Sequence, residues 1–77
     1  MNVTIRLHGL LRDKLPPENK GKTTLALPKG ATAKDVLTHF NIDRIISIAV
    51  NDEVELEETH PLHDGDHVEI FRSGAGG

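Results

Sequence analysis

The stretch LPKGATAKDVLTHFN, residues 27–41, contains the end of one element and the whole of another, and it decides the fold. Pro28 has no amide hydrogen to give a strand ladder, so pairing stops there, and Lys29 and Gly30 extend the break. Thr32 then reads as a helix N-cap. Asp35, three residues on, can reach back in a capping box and also complements the positive end of the helix dipole. Ala33, Val36, Leu37 and Phe40 fall on one stripe of a 3.6-residue period, and Asn41 suits the stop. One short amphipathic helix cannot stay in solution with its stripe bare, so it must cover a sheet.

Outward from this helix, both flanks read as strand. Upstream, Val3, Ile5 and Leu7 alternate with Asn2, Thr4, Arg6 and His8, which predicts a half-buried strand over residues 2–8. Leu25 and Leu27 share a face of a second strand over 23–27. The intervening Pro16, Pro17, Glu18, Asn19, Lys20 and Gly21 read as a turn region rather than an element, so the two strands form a wide hairpin. Downstream, residues 45–50 are dense in β-branched side chains, with Ile46, Ile48 and Val50 on one face, and Asn51 and Asp52 signal a turn. Residues 54–56 read as a short fourth strand and Pro61 and Leu62 as a connecting turn. Asp64, Gly65 and Asp66 form a tight turn into a last strand over 67–72, with Gly65 free to take a positive φ and both carboxylates able to bond nearby amides. The expectation is a small α+β domain, a mixed four- to five-stranded sheet covered on one face by a single helix. Its predicted core is Val3, Ile5, Leu7, Leu25, Leu27, Val36, Leu37, Phe40, Ile46, Ile48, Val50, Val68 and Ile70.

Composition narrows the function. A chain of 77 residues buries only about 60% of its unfolded surface, leaving little room for a large cleft. It has no cysteine, which removes disulfides, thiolate metal ligands and a thiol nucleophile. No apolar signal-type run or membrane span is present, so a cytoplasmic location is expected. The net charge of −3 is unevenly spread: residues 1–40 carry seven Lys or Arg against three acids, and 41–77 carry two against nine. With neither Trp nor Tyr and only two Phe, stacking platforms for nucleic acid are missing. The acidic half reads either as solvated turns and strand faces or as a surface that steers the chain to a basic partner.

The last five residues are Ser73, Gly74, Ala75, Gly76 and Gly77. Without a Cβ, the glycines can thread a channel too narrow for side chains, and five residues reach at most roughly 17 Å. Read alone, such an end is equally a frayed terminus. The expected organisation is a domain over residues 1–72 and a flexible tail over 73–77.

The ordered set of short motifs along the whole chain resembles ubiquitin-like β-grasp domains, specifically the MoaD/ThiS family of sulfur carriers. It comprises Gly9, Leu10, Leu11 and Arg12; then Leu27 through Thr32; Ala49, Val50, Asn51 and Asp52; Pro61 through Asp66; Val68 through Phe71; and Ala75, Gly76 and Gly77. The resemblance implies that Gly77 is adenylated by an E1-like enzyme using ATP and Mg, that a sulfur donor such as a persulfide enzyme replaces the AMP, and that the thiocarboxylate serves an acceptor synthase large subunit. It also implies a carrier rather than an enzyme, with no catalytic residue and no cofactor of its own. The long first hairpin leans towards the MoaD-like, molybdopterin branch. Ser73 and Gly74, where MoaD relatives often carry apolar residues or proline, depart from it.

Strand parity puts Phe71 on the face away from the helix, near Thr4, Arg6 and His8 if the first and last strands are neighbours. That face is the one by which the resembled family docks its activating enzyme, which makes Phe71, Arg72, Arg6 and His8 candidate partner contacts beside the tail of Gly74, Ala75, Gly76 and Gly77. Phe71 equally fits a residue that covers a sheet edge, and Arg72 a solvated one. His60, His63 and His67 lie close in sequence, but Pro61 and Gly65 break any register that would align them, and no metal site is expected. No phosphate-binding glycine loop occurs. A modifier joined to lysines through Gly77, and a plain interaction module, remain alternatives on the same fold.

Overall fold

The computed structural model describes residues 1–42 and 46–72, with the side chains of Glu55 and Leu56 left aside. The elements are β1 (Asn2–Leu7), β2 (Lys22–Ala26), α1 (Ala33–His39), β3 (Ile46–Val50), β4 (Glu53–Leu56) and β5 (His67–Arg72). They form one five-stranded sheet in the order β2-β1-β5-β3-β4, in which only β1 and β5 run parallel. This is the expected α+β arrangement. The expected strand start at Ile45 lies outside the described residues.

The helix is capped as its sequence requires. The Asp35 carboxylate accepts the Thr32 amide at 2.7 Å within a capping box. The next two amides, which a helix leaves without partners, donate to a passing loop, Ala33 to the His60 carbonyl at 3.0 Å and Lys34 to that of Glu58 at 2.8 Å. At the other end Asn41 takes a φ of 59°. Its amide bonds the Thr38 carbonyl at 3.1 Å and that of Ile42 bonds Leu37 at 2.9 Å, the paired bonds of a Schellman motif. That motif folds Ile42 back beside Leu37, and both are 7% exposed.

The core comprises Val3, Ile5, Leu7, Leu11, Ala33, Val36, Leu37, Ile42, Ile48, Val50, Leu62, Val68 and Ile70. Leu11, Ile42 and Leu62 were absent from the predicted set. Leu25, Leu27, Phe40 and Ile46, which were in it, are only half-buried and pack around its margin. Leu25 is on edge strand β2, Leu27 lies just past its end, Phe40 caps the helix and Ile46 begins β3, so each is covered from fewer sides.

The connection read as a plain turn region is instead two 3-10 helices, Gly9–Lys14 and Pro17–Asn19. Backbone groups leaving β1 need partners, and i to i+3 bonds such as Leu11 to His8 at 3.2 Å and Leu15 to Arg12 at 3.0 Å supply them. With three residues per turn, neighbours point apart: Leu11 is buried at 5% while Leu10 is 67% exposed.

Candidate functional site

Strand β5 leads to the tail, so its register decides what surrounds the point of exit. Gly65 takes a φ of 87° in the turn before it. The Asp64 carboxylate accepts the Asn2 amide at 2.7 Å, and the amides of Gly65 and Thr4 are interleaved with the carbonyls of Asn2 and Asp66 at 2.8 and 2.9 Å. The turn is thereby tied to the start of β1. A second knot joins it to the β3–β4 hairpin: Asn51 donates to Asp66 Oδ1 at 2.9 Å and accepts the His67 amide at 2.9 Å, while Asp66 Oδ2 takes the His63 amide at 2.8 Å. Burial disfavours the charged Asp66 carboxylate and is the largest single influence on it, yet the His63 amide, the Asn51 side chain and the nearby His63 and His60 rings outweigh burial and hold its pKa below the ordinary value.

Parallel pairing of β1 with β5 sets Thr4 opposite His67, Arg6 opposite Glu69 and Leu7 opposite Ile70. Even-numbered β1 positions and odd-numbered β5 positions therefore share the face away from the helix, as strand parity predicted. There the His8 and Phe71 rings stack with centroids 4.3 Å apart and planes 10° from parallel. Glu69 Oε1 lies 3.0 Å from His8 Nε2, and the His8 amide bonds the Ile70 carbonyl at 3.1 Å. The three side chains make a half-buried platform at the end of β5. Arg6 and Arg72 are exposed, Arg72 as the last residue of the strand.

Sequence reasoning thus placed His8 and Phe71 on one face, and the structure brings them into contact. It missed Glu69, which fixes the His8 ring, and Lys22, which stands directly across β1–β2 from Arg6. The signal for Lys22 was available only once the hairpin register was known. The expected tail residues Gly74, Ala75, Gly76 and Gly77 lie outside the described residues. An open depression of about 450 Å³, lined by Arg6, Lys22, Asn51, Asp52, His67, Val68 and Glu69, lies on the same face. All of these but Val68 are charged or polar, with Arg6 and Lys22 set beside Asp52 and Glu69. Among the described residues no three potential ligands gather for a metal, and His63 stands 3.9 Å from Asp66 without a further donor. No helix in these residues is long and apolar enough to cross a membrane.

A mixed sheet with parallel first and last strands, antiparallel outer hairpins and one helix on a single face defines the ubiquitin-like β-grasp class. Within that class the chain belongs to the ThiS family, whose model matches residues 5–77. Members of this family are small sulfur carrier proteins and not catalytic enzymes. Among solved structures, a protein assigned as molybdopterin converting factor subunit 1 from Pyrococcus furiosus shares 19% identity, with a TM-score of 0.74 over 94% of this chain and 97% of that one. SAMP1 from Haloferax volcanii aligns over all of both chains at 15% identity and a TM-score of 0.76. The thiamine biosynthesis protein ThiS from Geobacter metallireducens does so at 22% and 0.61. A search of curated proteins found no match.

Proposed function

We propose that this chain carries sulfur on its C-terminal glycine. The carboxylate of Gly77 attacks the α-phosphorus of ATP, held with Mg in an E1-like partner, and pyrophosphate leaves. Hydrosulfide then attacks the acyl adenylate, AMP leaves, and loss of a proton gives the thiocarboxylate. A persulfide donor instead forms an acyl disulfide with loss of AMP, and a thiol must cleave its S–S bond, becoming a disulfide, to release the thiocarboxylate. A free carboxylate, ionised at neutral pH with a pKa of about 3.5, is a poor acyl donor until activated in this way. The observation that carries the reading is the family match extending to Gly77 on a domain whose last described strand is pinned at both ends of its register. Phe71, His8, Arg6 and Arg72 form the surface that meets the partner, and Gly74, Ala75 and Gly76 pass through its narrow entrance.

Of the acceptors, molybdopterin synthesis is favoured over thiazole synthesis. The long connection from β1 to β2 fits the MoaD-like branch. A further structural relative, from Helicobacter pylori, is a complex of subunits 1 and 2 of molybdopterin-converting factor, with 19% identity and a TM-score of 0.65 over all of both chains. An acceptor synthase large subunit and a persulfide-bearing sulfur donor complete the partners, in a cytoplasmic setting.

The test is intact-mass spectrometry after incubation with ATP, Mg, a cognate activating enzyme and sulfide. One terminal oxygen should be exchanged for sulfur, and deletion of Gly77 should abolish the change. An unchanged mass with an enzyme shown to be active on another carrier refutes the proposal. Lysine-linked conjugates in cells, lost with Gly77, would support the modifier reading instead.

A further inference from the structure

We propose that Arg6 and Lys22, directly opposed on the exposed sheet face, receive the carboxylates of an acidic segment of the docking partner. The inference rests on that face being the one the carrier presents. Arg6 and Lys22 are cross-strand partners, and both are exposed. The bonds from the Leu7 amide to the Gly21 carbonyl at 2.7 Å and from Leu27 to Met1 at 2.8 Å put the hydrogen-bonded pairs at odd positions of β1. Arg6 and Lys22 are therefore a non-hydrogen-bonded pair, the kind whose side chains lie closest.

Two cations in that arrangement repel. Among the described residues neither has an acidic oxygen within 4.0 Å. Glu69, the neighbour of Arg6 across β1–β5, directs its Oε1 to His8 rather than to Arg6. Among the described residues no ion pair offsets that repulsion at close range, Asp52 and Glu69 standing at the border of the adjoining open depression beyond 4.0 Å, and carboxylates entering between the two cations would relieve it. The guanidinium of Arg6 suits a bidentate carboxylate and the ammonium of Lys22 a second one. The depression borders Glu69, whose carboxylate also touches the aromatic platform, so an acidic segment here would sit beside the surface that Phe71 and His8 offer.

A glutamate decapeptide is the probe, titrated at low ionic strength into the isotopically labelled chain and followed by amide chemical shifts. Because the chain carries a net −3, general attraction for a polyanion is absent and any binding is local. Shifts should centre on Thr4, Arg6, Lys22, Thr24 and His67, and Lys22→Glu should weaken them about tenfold or more. Separately, Lys22→Gln should raise the Tm of the free chain by roughly 1–5 °C at low salt, with the gain fading as salt is added. Shifts elsewhere, equal shifts with inorganic phosphate, or an unchanged or lowered Tm for Lys22→Gln would overturn the inference. None of these measurements requires activation of Gly77, so a failed thiocarboxylate assay and a failed peptide titration are independent results.

Discussion

Gly21 closes the first hairpin with a φ of 78°, and its replacement by alanine is the sharpest test of the packing there. A Cβ at this position would stand 2.7 Å from the Leu7 carbonyl oxygen and 2.9 Å from Arg12 Cγ. The arginine chain can swing aside. The carbonyl cannot, because it belongs to the backbone of Leu7, the last residue of β1, which is tied to Gly21 through its own amide and to Ile70 through the amide that follows. Moving Gly21 instead stretches the 2.7 Å bond that its own carbonyl accepts from the Leu7 amide. The left-handed conformation costs a non-glycine residue about 1–2 kcal/mol, and loss of the hydrogen bond adds about 0.5–1.5 kcal/mol. Gly65→Ala provides the internal control, since its φ of 87° carries the same conformational cost but its Cβ meets nothing within 4 Å. Urea and thermal unfolding followed by circular dichroism should show Gly21→Ala as the less stable of the two, by about 0.5–1.5 kcal/mol, which is roughly 2–12 °C in Tm for a domain of this size. A domain of this length holds only about 4–12 kcal/mol in all, so the difference is well within reach of measurement. Equal stability of the two variants would refute the argument that the Leu7 carbonyl is immovable.

Other outcomes follow from the same contacts. Ile42→Ala should cost about 2–4 kcal/mol in denaturant unfolding, because it opens a cavity and unpins the helix end together; a loss below 1 kcal/mol, as an order-of-magnitude floor, would deny Ile42 its core role. Asp66 has its pKa depressed in the fold, so its contribution is present above the unfolded value of about 4 and is lost as pH falls through the folded one. Asp66→Asn should therefore be less stable than the parent at neutral pH, with the gap closing in acid; a gap unchanged down to about pH 2 would contradict this. Phe71→Ala should weaken capture by the activating partner by about 1–3 kcal/mol in calorimetry while the melt moves less; the reverse pattern would make Phe71 a structural residue.

The periodic elements were legible because a strand or helix announces its buried face by spacing alone. Val3, Ile5 and Leu7 needed no partner to be assigned inward, and Phe71 was placed outward by parity before its neighbours were known. Leu11, Ile42 and Leu62 lie in segments without a period, and what buries them is a 3-10 turn, a Schellman motif and the loop bond from the Leu62 amide to the Ala31 carbonyl at 3.0 Å. The candidate site shows the same division. The outward set was readable, but that Glu69 turns to His8, leaving Arg6 facing Lys22, depends on two strand registers at once. The tail was legible only as chemistry, since glycine describes what a segment permits rather than where it lies.

The pairing of β1 with β5 joins residues as distant as Ile5 and Val68. Loop closure over such a separation is slow, and until it happens the inner edges of β1 and β3 both lack their shared neighbour. A chain interrupted before residue 67 thus presents two open strand edges and no completed sheet, the combination that invites aggregation and cellular clearance. The order of the strands thus makes β5, the last to be synthesised, the one that joins the two halves of the sheet.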